Sequence, residues 1–153
     1  MVAGPSKPGL VLIKLGGSLI TDKAAPDSAR PEMLRRLAQE IADASAGMPE
    51  RIVLGHGAGS FGHVAAARHG LGHGPIDPGR LHGVSATQER TARLHLMVVE
   101  SLLTAGAAPF SLAPSSFVCA SAGRPVKKRW EWGRWRNGSS RISAPDCRNT
   151  PIK

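Results

Sequence analysis

With 153 residues, 41% of them hydrophobic, the chain has the length of one domain and enough apolar side chains to bury a core. Its net charge of +9 invites a nucleic-acid partner, but residues 1–123 contain 11 Lys+Arg against 9 Asp+Glu, and residues 124–153 contain 9 against 2. The charge distribution therefore excludes a broadly basic surface over the body of the chain.

Cysteines and apolar runs indicate where the protein resides. Cys119 and Cys147 form neither a C-x-x-C pair nor a metal-type spacing, so we expect reduced thiols. The apolar run 10–13 is too short for a signal peptide, and the run 94–110 is interrupted by His95 and Glu100. We expect a cytoplasmic protein without a membrane span.

The first third of the chain predicts a strand, a turn and a helix. Residues 10–15 form a short β-branched apolar run, typical of a strand buried on both faces in a parallel sheet. Glycines at 16–17 end it in a tight turn. Pro31 begins a helix whose apolar face recurs at helical spacing and which Gly47 and Pro49 end. The members of that face are Leu34, Leu37, Ala38, Ile41 and Ala42.

The next stretch repeats this order. Residues 52–54 predict a second buried strand, which runs into a glycine-rich turn and a helix over 60–69. A loop over 71–83 precedes the longest predicted helix, 85–105, and residues 107–113 are a candidate third strand. The alternation favours a layered α/β fold with a mainly parallel sheet.

The composition changes at about Arg124. The segment 127–136 contains all three tryptophans, and no helical or strand periodicity follows it. We interpret residues 124–153 either as translation of a shifted reading frame or as a disordered basic tail. A genuine tail of this kind could bind single-stranded nucleic acid by stacking and charge, although we do not expect nucleic acid as a partner.

Two glycine turns carry the chemistry. Residues 57–62 match G-x-G-x-x-G after a strand and before a helix, but an acidic residue at the end of the next strand is missing, which weighs against a dinucleotide site. No P-loop pattern is present. The segment 14–18, K-L-G-G-S, supplies a second turn after the other strand. Parallel strands bring such turns to one edge, where backbone amides and Lys14 and Lys23 favour phosphate groups and phosphoryl transfer.

The histidines are weighed separately. His56 is expected to be structural, with a hydrogen bond inside the turn. His69, His73 and His82 suggest a metal site, but no carboxylate or cysteine completes a set near them, so we predict no protein-bound metal.

Together, the segments I-K-L-G-G-S-L-I-T-D-K (13–23) and G-H-G-A-G-S-F-G-H (55–63) resemble the amino acid kinase superfamily, and within it the isopentenyl phosphate kinases. The histidine that closes the second segment is similar to that group's phosphate-binding histidine, and the helix around Thr87 and Arg93 is also similar. The resemblance covers residues 9 to about 123. The family's nucleotide-binding second half has no counterpart in residues 124–153.

The resemblance implies a three-layer αβα sandwich, here truncated, in residues 1–123, and the change of composition sets residues 124–153 apart as a tail. It implies ATP with accompanying Mg²⁺. From the open edge of the truncated sheet we also expect a homodimer. The resemblance also implies catalytic roles for Lys14, Lys23 and His63. The implied contacts to ATP are Lys14, Gly16, Gly17, Ser18 and Gly59, and those to the acceptor are Gly57, Ala58 and His63.

The implied reaction is phosphorylation of isopentenyl phosphate to isopentenyl diphosphate. One alternative is a fosfomycin kinase-like enzyme, or another small-phosphate kinase, of the same superfamily. A second alternative is a fragment without catalytic activity. We expect such a fragment to be poorly soluble or dimeric because half of a sheet leaves an open edge.

Overall fold

A computed structural model describes residues 9–72, 77–116, 118, 120–121 and 124–125. The chain divides into two compact units, Met1–Phe110 and Ser111–Lys153. The division into domains after residue 123 stays a prediction, since residues 126–153, with all three tryptophans, lie outside the described residues.

The first unit alternates strands and helices. Its elements are β1 (Leu10–Leu15), α1 (Gly17–Ile20), α2 (Pro31–Ala46), β2 (Arg51–His56), α3 (Gly59–Arg68) and α4 (Leu81–Thr104), the last preceded by a 3₁₀ turn, Pro78–Arg80. The second unit contains a 3₁₀ turn, Pro114–Ser116, and an antiparallel pair of two-residue strands, β3 (Ala120–Ser121) and β4 (Arg124–Pro125).

The sheet of the first unit is parallel, as predicted. β1 pairs with β2 in a register that sets Leu10 opposite Arg51 and Leu15 opposite His56. The crossover between them contains α1 and α2, which is the connection that parallel strands require. The predicted mixed α/β class with a parallel sheet is confirmed.

Helices α2 and α4 pack together over one face of this sheet. The core contains Leu15 from β1, Leu34 and Ala38 from α2, and Leu94 and Val98 from α4. Burial of each large aliphatic side chain contributes about 1.5–3 kcal/mol. The spacing of apolar residues that predicted α2 therefore identified the face that builds the core.

The expectation that both strands are buried on both faces is wrong for the described part of the chain. The exposed fractions are 62% for Leu10, 73% for Leu12 and 49% for Val53. Side chains alternate along a strand, so these residues share the face opposite the helices. The described helices cover one face only, and the run of apolar letters could not reveal that.

The predicted third strand is also wrong, because residues 107–113 form no strand. Gly106, at φ +83°, ends α4 in a Schellman motif, in which its amide donates to Leu103 (3.0 Å) and the Ala107 amide donates to Leu102 (2.9 Å). Pro109 then lacks an N–H for a ladder, and Phe110 is 86% exposed. α4 begins four residues earlier than predicted, so it shortens the loop predicted to end at Gly83.

No helix in the described ranges is both long enough and apolar enough to cross a membrane.

Candidate phosphate-binding site

The parallel pairing brings the two glycine turns together. Beyond the last paired residues, the amide of Gly57 donates to the carbonyl oxygen of Leu15 at 2.9 Å. The hydrogen-bonded ladder thus continues for one residue past β2. Both turns consequently leave the sheet at its carboxyl edge, as the sequence predicted.

The two turns touch through their backbones. A Cβ atom built on Gly17 would lie 2.5 Å from the amide nitrogen of Gly59, and one on Gly57 would lie 2.7 Å from the nitrogen of Gly17. Real Cβ atoms do not approach other atoms so closely. Gly59 also has φ +50°, in the left-handed region that favours glycine. The glycines are therefore required for this close approach, whichever ligand binds beside them.

Thr21 connects the same two turns from inside. Its side chain is completely buried, and its Oγ1 donates to the Gly17 carbonyl oxygen at 2.7 Å. The Thr21 hydroxyl oxygen also accepts a hydrogen bond from the Ser60 amide, with 3.1 Å between nitrogen and oxygen. The Ser60 hydroxyl in turn reaches the carbonyl oxygen of Ser28 at 3.4 Å. The start of α3 is thereby fixed to the segment that follows α1.

A cleft of about 560 Å³ opens between the turns. Every residue that the sequence assigned to the site lines it: Lys14, Gly16, Gly17, Ser18, Lys23, Gly57, Ala58, Gly59 and His63. Ser60 and Val64 complete the lining. The structure thus brings all the predicted site residues together, although their individual roles stay predictions.

The lining is electropositive. Lys14 and Lys23 contribute two cationic side chains, and no carboxylate lies among the lining residues. Neither lysine takes part in an ion pair within the described residues. Two unneutralised ammonium groups beside exposed backbone amides make this cleft suited to an anion.

The start of α3 supplies backbone donors. The first amide groups of a helix have no intrahelical acceptor. In α3, the amide of Ser60 donates to the Thr21 hydroxyl, and Ala58 and Gly59, at the start of the helix, line the cleft. The partial positive charge of a helix N-terminus favours phosphate at the same place.

Lys23 lies in a short loop that is held at several points. The amide of Asp22 donates to Ser28 at 2.9 Å, and Thr21 forms an isolated antiparallel bridge with Ala29. Asp27, at φ +53°, forms an ion pair with Arg90 of α4. The loop is therefore a closed hairpin-like turn attached to the longest helix, which restricts where Lys23 can reach.

His56 supports the second turn from beneath, in line with its predicted structural role. Its Nδ1 lies 3.3 Å from the Gly57 carbonyl oxygen, and its Nε2 lies 3.1 Å from Nδ1 of His95 on α4. The two rings stack with centroids 5.4 Å apart. Burial lowers the pKa of His56 below its ordinary value of 6.5; the Gly57 hydrogen bond opposes this shift, and the charge of His95 adds to it.

The remaining histidines do not join the site. His69 and His82 meet edge to face with ring centroids 5.9 Å apart. His73 lies outside the described residues. Within those residues, no three His, Cys, Asp or Glu side chains gather as a metal site would require.

Sequence reasoning missed the residues that support the site. Thr21 lies inside the first motif, and its spacing of four residues from Gly17 is a signal for a hydroxyl bonded to that carbonyl. Nothing in the sequence pairs His56 with His95 or Asp27 with Arg90, because these partners are brought together only by the packing of α4.

Two touching glycine turns at the carboxyl edge of a parallel sheet, with two lysines and a helix N-terminus around them, define an α/β protein with a candidate phosphate-binding site. The sequence profile of the amino acid kinase family matches residues 9–147. The chain belongs to the amino acid kinase family.

Two proteins similar to this chain are named isopentenyl phosphate kinase. The isopentenyl phosphate kinase of Methanothermobacter thermautotrophicus is 37% identical over 123 residues, which are 75% of this chain and 44% of that protein. The isopentenyl phosphate kinase of Thermoplasma acidophilum is 34% identical over 107 residues, 70% of this chain and 42% of that protein. The resemblance read from the two motifs is thereby confirmed.

Solved structures of isopentenyl phosphate kinases are also similar to this chain. The product complex of the T. acidophilum isopentenyl phosphate kinase superposes with a TM-score of 0.64 at 32% identity, over 77% of this chain and 47% of that one. Another isopentenyl phosphate kinase structure gives a TM-score of 0.69 at 35% identity, over 78% of this chain and 50% of that one. The chain spans about half the length of the relatives that it matches.

Proposed function

We propose that this chain supplies the acceptor-binding part of an ATP-dependent kinase that converts isopentenyl phosphate into isopentenyl diphosphate. The observation that carries the proposal is the cleft in which two touching glycine turns meet Lys14, Lys23 and His63. The similar proteins named isopentenyl phosphate kinase support the choice of substrate.

The proposed roles follow the position of each group in the cleft. Lys14 and the amides at 16–18 bind the β- and γ-phosphates of ATP, and Lys23 balances charge on the transferring group. Ala58 and Gly59 offer backbone amides to both substrates. His63, which also lines the cleft, donates a hydrogen bond to the phosphate of isopentenyl phosphate.

In the reaction, a phosphate oxygen of isopentenyl phosphate forms a bond to the γ-phosphorus of ATP. The bond from that phosphorus to the β–γ bridging oxygen breaks, and ADP leaves with the electron pair. A phosphate monoester is already largely ionised near neutral pH, so the attacking oxygen requires no general base. The contribution of the protein is alignment and positive charge.

The residues of the cleft fit a magnesium ion only if the phosphates of the nucleotide supply most of its ligands. Mg²⁺ prefers oxygen ligands and commonly binds through one or two carboxylates together with substrate phosphates. The described cleft lining contains no carboxylate, and Ser18 and Ser60 are its hydroxyl groups. When bound, Mg²⁺ would neutralise phosphate charge, held mainly by the phosphates themselves.

Phosphoryl transfer by the full chain tests whether this part is sufficient for the reaction. The chain is incubated with ATP, Mg²⁺ and isopentenyl phosphate, and ³¹P NMR follows the diphosphate product. Fosfomycin replaces isopentenyl phosphate in a parallel sample, and Lys14→Met is the matched inactive control. Formation of isopentenyl diphosphate that Lys14→Met abolishes supports the proposal.

Other outcomes are informative as well. Turnover of fosfomycin alone would replace the proposed substrate by the alternative one. Binding of isopentenyl phosphate without turnover by a folded chain would limit the function to acceptor binding. Failure of a folded chain to bind either compound would refute the proposal. A homodimer and a cytoplasmic location belong to the same proposal.

A further inference from the structure

The hydroxyl of Thr21 is the one polar side-chain group, among the described residues, that bonds to both glycine turns. The carbonyl oxygen of Gly17 receives the Thr21 amide at 2.9 Å as well as the hydroxyl at 2.7 Å. The hydroxyl then accepts from the Ser60 amide. With its side chain completely buried, Thr21 has no access to water that could replace either bond.

These bonds set the direction of two peptide planes. A trans peptide points its C=O and its N–H in opposite directions within one plane. Because the Gly17 carbonyl is held toward Thr21, the amide of Ser18 in the same peptide must point away from Thr21. Ser18 lines the cleft. The buried bond from Thr21 to the Gly17 carbonyl thus orients the Ser18 amide, which is a hydrogen-bond donor of the candidate site.

The same argument applies to the second turn. Holding the Ser60 amide toward Thr21 fixes the peptide between Gly59 and Ser60, and with it the first residue of α3. The Thr21 hydroxyl also packs directly against Gly59, where an added Cβ would lie 2.1 Å from the hydroxyl oxygen. One hydroxyl therefore links both turns: it donates to the Gly17 carbonyl oxygen, which the Thr21 amide also holds, and accepts from the Ser60 amide.

We infer that Thr21 is a positioning residue, which holds the Ser18 amide and the N-terminus of α3 in the mutual geometry that a bound phosphate requires. Its ligand is that of the proposed function, so this part of the inference rests on that function. A hydroxyl can donate and accept at the same time, whereas the isosteric valine can do neither. Serine retains both capacities.

The test uses the full chain as wild type, Thr21→Val, Thr21→Ser and Thr104→Val. Thr104 is the matched control because its hydroxyl bonds only within α4, to Glu100 at 2.8 Å. The first measurement needs no ligand: NMR hydrogen exchange at the Ser60 amide, with the Val98 amide in the core as reference. The second is the affinity for isopentenyl phosphate, from ³¹P NMR titration.

The inference predicts that Thr21→Val raises exchange at Ser60 more than at Val98, and that Thr21→Ser and Thr104→Val do not. It also predicts about tenfold weaker binding by Thr21→Val, which removes both bonds of the hydroxyl, with recovery in Thr21→Ser. Equal increases at Ser60 and Val98 would mean a purely structural role and overturn the inference. Unchanged affinity of Thr21→Val would overturn it too.

Failure of the proposed function gives a different result. If the folded wild type does not bind isopentenyl phosphate, that function is refuted, and the exchange data alone decide the role of Thr21. If Thr21→Val does not fold, Thr21→Cys replaces it, since its thiol is only a weak donor and acceptor. Exchange at Ser60 in Thr21→Cys equal to that in wild type would then contradict the inference.

Discussion

Gly17 and Gly59 lie in direct backbone contact, so that a Cβ atom on Gly17 would stand 2.5 Å from the Gly59 nitrogen and 2.8 Å from its Cα. The atoms in the way belong to the backbone and cannot rotate aside. Any side chain at residue 17 must therefore push the two turns apart, and with them the two halves of the cleft.

Gly17→Ala is accordingly expected to lower the free energy of unfolding by about 1–3 kcal/mol, the usual cost of overpacking. Gly47→Ala is the matched control, because a Cβ there meets nothing within 4 Å, and it should change stability by less than about 0.5 kcal/mol. Urea denaturation measures both. Equal stability of the two variants would show that the turns are not in contact.

The ion pair between Asp27 and Arg90 holds the Lys23 loop against α4. Arg90→Met should weaken isopentenyl phosphate or ATP binding several-fold, because Lys23 loses its fixed position, while stability falls by no more than about 1 kcal/mol. Arg93→Met, which removes an exposed ion pair with Glu89 on the same helix, is the control. Titration calorimetry compares them, and a similar loss of affinity in both variants would argue against a role for this loop.

The burial of His56 makes stability depend on pH. The pKa of His56 is lowered in the folded chain, mainly by burial, so the unfolded chain binds the proton first. The contribution of His56 is complete above its ordinary pKa of 6.5 and is lost as the pH falls below that value toward the folded pKa. The free energy of unfolding should therefore decrease on acidification through this window.

Chemical denaturation at a series of pH values between 5 and 8 checks this prediction. His56→Gln should flatten the dependence, and His82→Gln, at an exposed position, should leave it unchanged. If His56→Gln retains the full wild-type slope, the decrease comes from other groups.

The sheet face that the described helices leave uncovered is expected to drive self-association. Leu12 is 73% exposed and shares that face with Leu10 and Val53. Leu12→Lys should shift the full chain toward monomer in sedimentation velocity because it places a charge on the apolar face. Leu96→Lys, at a 58% exposed position on α4, is the control. A wild-type chain that is already monomeric at all concentrations would contradict the prediction.

The sequence could predict the site better than the sheet. The segments K-L-G-G-S and G-H-G-A-G-S-F-G-H after short apolar runs predicted two turns at one edge of the sheet, because glycine patterns report local backbone needs. The full set of nine residues came from the family resemblance, and all nine line one cleft. Whether a strand is covered on both faces depends on distant helices, which the letters of 10–15 and 52–54 do not encode. The same limit explains why residues 107–113, apolar but interrupted by Pro109, were predicted to form a strand.

Binding of isopentenyl phosphate to the full chain tests the central claim most directly, with His63→Ala as the variant and His82→Ala as the histidine control outside the cleft. We predict saturable binding by wild type, about 10- to 100-fold weaker binding by His63→Ala through loss of a charge-assisted hydrogen bond, and no change in the control. Absence of binding by the folded wild type, or equal affinity of His63→Ala, would contradict the account.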